Sequence, residues 1–259
     1  MHIIVVPDTD HWEKLVLTAK VVGWAFLVDD MMEVEAIIQV LYNNKMKDLL
    51  KIVYGNKKPD PNLHWEVISD ELWRDIQRSC TAVEFNQITG AFREWYNSQA
   101  RYAQPENFDE WLIFRLHNSA ANWTWAMVRY AMECRMTDEE LAHPVVREAE
   151  DSGAVVAFLV NDIVSMVKDK RRNCEKQNGV SMIQQYGLVS TEEEALAEVS
   201  NIVARSSRQM MESVKQTLAD PMLSSEVKRG MTALLYAVSG NSWWSQLIVS
   251  ESTPQFGPV

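Results

Sequence analysis

Asn161, Ser165 and Asp169 recur at steps of four through Val155 to Arg172, VVAFLVNDIVSMVKDKRR, an apolar run that ends in charge. On a helix, residues four apart share a face, so three oxygen-bearing side chains fall on one stripe. An amide, a hydroxyl and a carboxylate this close suit a hard cation such as Mg²⁺. That ion takes a few protein oxygens and completes its octahedron with water or phosphate oxygens. The competing reading is an amphipathic helix running into its solvated end. A second acidic group stands upstream: Asp29, Asp30 and Glu33 lie within about one helical turn of VVGWAFLVDDMMEVE. Carboxylates among core-type residues are costly to bury unless a cation meets them. A helix whose polar face begins at Asp29 is the plainer account of that group.

Together, DDMME at 29–33 and NDIVSMVKD at 161–169 resemble the two metal-binding motifs of the class I terpene synthases, DDxx(D/E) and NDxx(S/T)xxx(E/D). In that family the motifs face each other across a helical bundle and hold three Mg²⁺ on a diphosphate. Many microbial members carry a diphosphate-sensing arginine on a broken helix, 46 residues before the metal-binding asparagine. Counting back from Asn161 reaches Arg115, in ENFDEWLIFRLHNSAANW. The resemblance runs from about Val6 to Phe256. It implies an all-α, single-domain helical bundle over residues 1–259, with Asp29, Asp30, Glu33, Asn161, Ser165 and Asp169 as metal ligands. It further makes Arg115 the diphosphate sensor, Asn118 its linker, and Ser119 or Ala120 the residue whose carbonyl faces the ionising carbon. Lys168 corresponds to a diphosphate-contacting lysine. GNSWWSQLIVSESTPQFGPV is similar to the family's closing element, with Trp244 at its tryptophan and Gln255-Phe256 where Arg-Tyr is usual. Gln255 can donate a hydrogen bond but carries no charge, and charge-assisted bonds are about twice as strong. Roughly two helices usually precede the aspartate-rich helix, so an architecture shortened at its N-terminus, or a missing N-terminal segment, is expected.

The composition agrees with that reading. A chain of 259 residues, 47% hydrophobic, can bury one large core. Its net charge of −11 argues against sequence-independent nucleic-acid binding, which needs a basic surface. An anionic substrate must then be met by metal ions and a few local cations. Cys80, Cys134 and Cys174 show no disulfide or zinc spacing and fit a reducing cytoplasm. The longest apolar run, near Val21 to Val28, is far short of the roughly 18 residues of a membrane span.

Nine Gly and eight Pro fall between helical patterns rather than alternating strands. Helices are expected from His11 to about Asp30, from Val34 to Val53, from a Ser69-Asp70 cap through Ser79, and over Val83 to Arg101. HIIVV at 2–6 reads as extended, and Tyr54 to His64 as a surface loop. Further helices are expected within Pro105 to Tyr130, from Pro144 to Arg172, from a Thr191–Glu194 capping box to about Leu218, and from Ser224 onward. Asp138 is expected to cap a bridge over Met136 to His143, and Asn173 to Met182 to form a loop. Aromatics at helical intervals, Phe85, Phe92, Trp95 and Tyr96 among them, read first as core packing. Trp24, Phe26, Phe85, Phe92, Trp123 and Trp244 are the candidates for lining a substrate cavity, where aromatic faces attract cations by about 0.5–2 kcal/mol.

The expected chemistry is Mg²⁺-assisted ionisation of a linear prenyl diphosphate, then cyclisation to a terpene hydrocarbon or alcohol. Farnesyl diphosphate is the first choice of substrate and geranylgeranyl diphosphate the second, and a homodimer is common among such bundles. Two alternatives stay open. One is a non-catalytic helical interaction protein descended from such an enzyme; the other is a chain-elongating synthase, which would show two DDxxD motifs.

Overall fold

A computed structural model describes residues 11–32, 48–100, 105–172 and 178–252. For residues 29–32, 99–100, 168, 171–172, 246 and 248–252 it describes the backbone only. The extended run expected at His2 to Val6, the helix expected from Val34 up to residue 47, and Glu33, Cys174, Gln255 and Phe256 lie outside the described residues. Among the described residues the secondary structure is entirely helical: α1 (Trp12–Met32), α2 (His64–Ser79), α3 (Ala82–Ala100), α4 (Phe108–Asn118), α5 (Ala121–Ala131), α6 (Asp138–Leu141), α7 (Pro144–Arg172), α8 (Gly179–Gln185), α9 (Glu192–Ala219) and α10 (Ser225–Ser252). Residues 48–53 are also helical.

The 29-residue α7 is the central element, packed against α4, α5, α8, α9 and α10. Ala149, Ala154 and Val156 meet Val214 of α9 and Leu234, Ala237 and Val238 of α10 in one buried cluster. Small residues admit close approach here: a Cβ on Gly153 would sit 3.2 Å from Met210 and Val238. A second cluster joins α1, α2, α3 and α5. Its centre is aromatic, with Trp24, Trp73, Phe92, Trp95 and Trp123 packed at ring separations of 4.9 to 6.3 Å. A third brings Phe108 and Trp111 of α4 against Phe158 and Leu159 of α7 and Val180 and Ile183 of α8.

Local chemistry explains most of the helix ends. Thr191 and Glu194 form the expected capping box, and Ser224 Oγ accepts the Val227 N–H. Three expectations are corrected. The second helix begins at His64, so Ser69 and Asp70 are interior: Ser69 accepts the Trp24 indole N–H at 2.9 Å, and Asp70 pairs with Arg74. Thr137 rather than Asp138 caps α6, because its hydroxyl and the Glu140 carboxylate reciprocate across the first turn. Gly179–Gln185 is a helix, capped by Asn178, where a loop was expected. Among the described residues no helix is long and apolar enough to cross a membrane, and Cys80 and Cys134 are free thiols.

Trp73 is 1% exposed at the middle of the aromatic cluster. Trp73→Ala is expected to lose about 3–5 kcal/mol of stability in urea unfolding, whereas Met222→Ala, at a residue 88% exposed, stays within about 0.5 kcal/mol.

Candidate functional site

The chain between α4 and α5 breaks over two residues. Asn118 closes α4, Ser119 donates its N–H to the Arg115 carbonyl at 2.9 Å, and Ala120 takes a left-handed φ of 60° before α5 begins. That conformation favours Gly and costs an L-residue about 1–2 kcal/mol. Alanine's single methyl is the smallest side chain that can tolerate it. Of the two carbonyls expected to face a substrate, Ala120's already accepts both the N–H and the hydroxyl of Thr124, at 2.9 and 3.0 Å. Its carbonyl is therefore committed to starting α5, and Ser119 keeps the expectation alone.

Arg115 projects from the last turn of α4. Nη1 donates to Asn118 Oδ1 at 2.9 Å, and Nη2 lies 3.4 Å from Asp162 Oδ1. The guanidinium sits over the rings of Trp111 and Phe158, 5.7 and 5.4 Å from their centroids. Its Nε–H is buried without a partner, as is the Ser119 hydroxyl. A planar guanidinium oriented by two of its five N–H donors, with the Nε–H among those unspent, is the form suited to bind an oxyanion.

Asp162 was part of the motif but had no role assigned from sequence. It is 3% exposed, and its Oδ2 accepts the Gly179 N–H at 2.8 Å. Burial is the largest influence on its carboxyl and pushes it up, the Arg115 charge and the Gly179 hydrogen bond pull it down, and neighbouring Asp169 pushes it up; the net result is about 6. Asp162 thus ties three helices, α4, α7 and α8, through one carboxylate. Adjacent Asn161 was visible from its spacing, and Asp162, a helical step of about 100° around, points inward instead.

On the outer stripe Asn161 is exposed, while Ser165 and Asp169 are half-buried. Ser165 donates its hydroxyl to Asp169 Oδ2 at 2.5 Å, and Asn178 Nδ2 donates to the same oxygen at 2.9 Å. Asn178, also unassigned from sequence, follows α7 at the cap of α8. Among the described residues no three His, Cys, Asp or Glu converge on a metal position, so this stripe supplies one carboxylate with neutral oxygens beside it. Those are the hard donors a divalent cation takes. Asp29 and Asp30 lie in the last turns of α1 and Lys168 near the end of α7, as helical backbone whose side chains are not described. Helices α1 and α7 both pack on α5.

The expected cavity residues divide. Trp24, Phe92 and Trp123 are 5%, 0% and 2% exposed, and their rings pack face or edge against one another. They fill space rather than enclose it. Phe85 packs at the margin of the same cluster, and Trp244 is half-buried on α10. Phe26 is 56% exposed on α1, three residues before Asp29, so among the described residues it lines no enclosed cavity. A surface hollow of about 160 Å³ lies among Glu106, Asn107, Phe108, Asp109, Tyr186 and Leu188. It falls below the roughly 300–1,000 Å³ of small-molecule sites and offers two carboxylates, the wrong sign for a diphosphate.

A bundle with this broken helix and this arginine–aspartate contact has the class I terpene synthase fold. Aristolochene synthase from Penicillium roqueforti superimposes with a TM-score of 0.76 at 22% identity, covering 93% of this chain and 81% of that one. The chain belongs to the terpene synthases: the model for terpene synthase family 2, C-terminal metal binding, matches residues 20–209. Relatives include 10-epi-cubebol synthase of Sorangium cellulosum, 25% identical over 63% of this chain and 54% of its own length. A cyclopiane-type diterpene synthase of Penicillium chrysogenum is 24% identical over 90% of this chain and 32% of its own. The chain thus spans about half or less of the curated relatives it matches.

Asp162→Ala strands the Arg115 Nη2 donor and the Gly179 N–H together. It is expected to cost about 3–5 kcal/mol in chemical unfolding, with Asp162→Asn losing less because one acceptor oxygen remains.

Proposed function

We propose that this chain ionises a linear prenyl diphosphate and cyclises the resulting allylic cation, releasing diphosphate. The observation that carries this reading is the link from Arg115, at the α4–α5 break, through Asp162 to the helix that bears Asn161, Ser165 and Asp169. An arginine with an unspent donor and a stripe of hard oxygens are thereby held by a common helix. Together they suit a ligand that is anionic and metal-binding.

Asn161, Ser165 and Asp169 on α7, with Asp29 and Asp30 in the last turn of α1 and Glu33 just after them in sequence, are the proposed ligands of Mg²⁺, three ions by analogy with the family. When bound, the metal neutralises the diphosphate and makes it a better leaving group. Arg115 hydrogen-bonds the diphosphate through the N–H donors of its fork that Asn118 and Asp162 leave unspent, while Asn118 keeps the guanidinium plane fixed. Lys168 adds a second cation and Gln255 a neutral donor. Ser119, its carbonyl not consumed by α5 as Ala120's is, offers a partial negative charge to the ionising carbon. The prenyl tail is favoured in apolar surroundings by about 0.8 kcal/mol per CH₂, and water must be kept from the cation until the ring closes.

Farnesyl diphosphate remains the first substrate. Similarity to a diterpene synthase over most of this chain keeps geranylgeranyl diphosphate second.

The test is incubation of the purified chain with geranyl, farnesyl and geranylgeranyl diphosphates, with product extracts analysed by gas chromatography and mass spectrometry. A cyclic product that requires Mg²⁺ and disappears with EDTA is expected from one of them. Arg115→Ala should lower turnover by about 10²–10³. Absence of Mg²⁺-dependent diphosphate release from all three substrates would overturn the reading.

A further inference from the structure

We infer that Asn178 is a positioning residue for the metal-facing carboxylate of Asp169, an inference that rests on the proposed function above. Asn178 lies across the gap between α7 and α8, and at 1% exposure its amide is wholly inside the protein. Every strong hydrogen-bonding atom of that amide is engaged. Nδ2 donates to the Asp162 carbonyl at 2.7 Å and to Asp169 Oδ2 at 2.9 Å, and Oδ1 accepts the Val180 N–H at 3.0 Å. An asparagine serving only as a helix cap needs the last of these bonds alone. The other two aim its donor group at α7.

The consequence falls on Asp169. Its Oδ2 is held by two donors, Asn178 Nδ2 and the Ser165 hydroxyl. Two donors on one oxygen restrain the carboxylate's rotation and leave Oδ1 as the oxygen available to a cation. Ser165 keeps lone pairs for a cation while its proton is spent on Asp169. Mg²⁺ demands near-ideal octahedral geometry at about 2.0–2.1 Å, so a carboxylate free to rotate would lose affinity through ordering cost. Hydrogen-bond partners that orient a ligand from behind are commonly worth 10–100-fold in metal affinity.

The following residue extends the arrangement to the other half of the site. Gly179 donates its N–H to Asp162, the partner of Arg115. A Cβ there would lie 2.7 Å from Leu159, 3.2 Å from Trp111 and 3.3 Å from Asp162 Oδ2. Any larger residue there would have to push these side chains aside. Asn178 and Gly179 therefore set two carboxylates of α7 from one short segment: Asp169 toward the metal and Asp162 toward the arginine.

Asn178→Ser separates positioning from capping, since serine is as good a cap but its hydroxyl is too short to reach both α7 acceptors. Mg²⁺ binding is measured by calorimetry on the full chain with inorganic diphosphate present, alongside thermal unfolding without metal. Wild type is expected to bind Mg²⁺. Asn178→Ser should raise the Mg²⁺ Kd about 10–100-fold while unfolding near the wild-type temperature. Asp169→Asn should weaken binding as well, and adding Asn178→Ser to it should bring little further loss, because both act through one carboxylate. Unchanged Kd in Asn178→Ser, or full additivity in the double variant, overturns the inference and leaves the proposed function standing. A wild-type chain that binds no Mg²⁺ with diphosphate present overturns both. A loss of affinity that merely follows a lowered unfolding temperature assigns Asn178 to capping and overturns the positioning role.

Discussion

A carboxylate buried where α4, α7 and α8 meet is the constraint on which the site depends. Asp162 is sealed from water, so its charge has to be answered by protein, and it is answered from two sides by the Arg115 guanidinium and the Gly179 amide. Removing water makes each of these bonds costlier to break than a surface pair. The same burial explains why the three elements hold a single relative position. α4 cannot shift along α7 without stranding Arg115, and α8 cannot withdraw without exposing an unpaired carboxylate oxygen.

Around that point the packing is specialised by region. Small residues on α7 let α9 and α10 approach closely, giving a stiff rear wall behind the polar stripe. Aromatic side chains dominate where α1, α2, α3 and α5 meet, and the Trp24 indole is fastened by Ser69 as well as by its neighbours. A heavy aromatic layer that packs on itself contributes rigidity to the helix that carries Asp29 and Asp30. The break between α4 and α5 sits between these regions. There Trp95 donates its indole N–H to the Asn118 carbonyl, so the aromatic cluster also supports the end of the arginine's helix.

Much of the candidate site was legible in the sequence because its signals are local. Spacing of four on one helix, an acidic pair at the end of an apolar run, and an arginine at a set distance upstream need no tertiary knowledge to be noticed. Asp162 was not legible as a separate function, since a pattern that reads one helical face passes over the residue just beside it. Asn178 was missed for a different reason: α8 is seven residues long, too short to show a period, and its cap does most of its bonding to another helix. Ser69 read as a cap because serine before aspartate usually is one, yet within α2 its oxygen was claimed by a tryptophan 45 residues away.

The sequence by itself determined that the protein is helical, where most of its helices begin and end, and which polar residues share a face of α7. Those properties follow from periodicity, capping and turn chemistry acting over a few residues. Tertiary structure alone decided that Asp162 meets Arg115, that Asn178 steadies Asp169, and that Trp24, Phe92 and Trp123 pack as a solid layer. Each depends on which helix faces which, and that is settled by summed burial and hydrogen-bond satisfaction over residues far apart in the chain. No local pattern encodes the outcome of that sum.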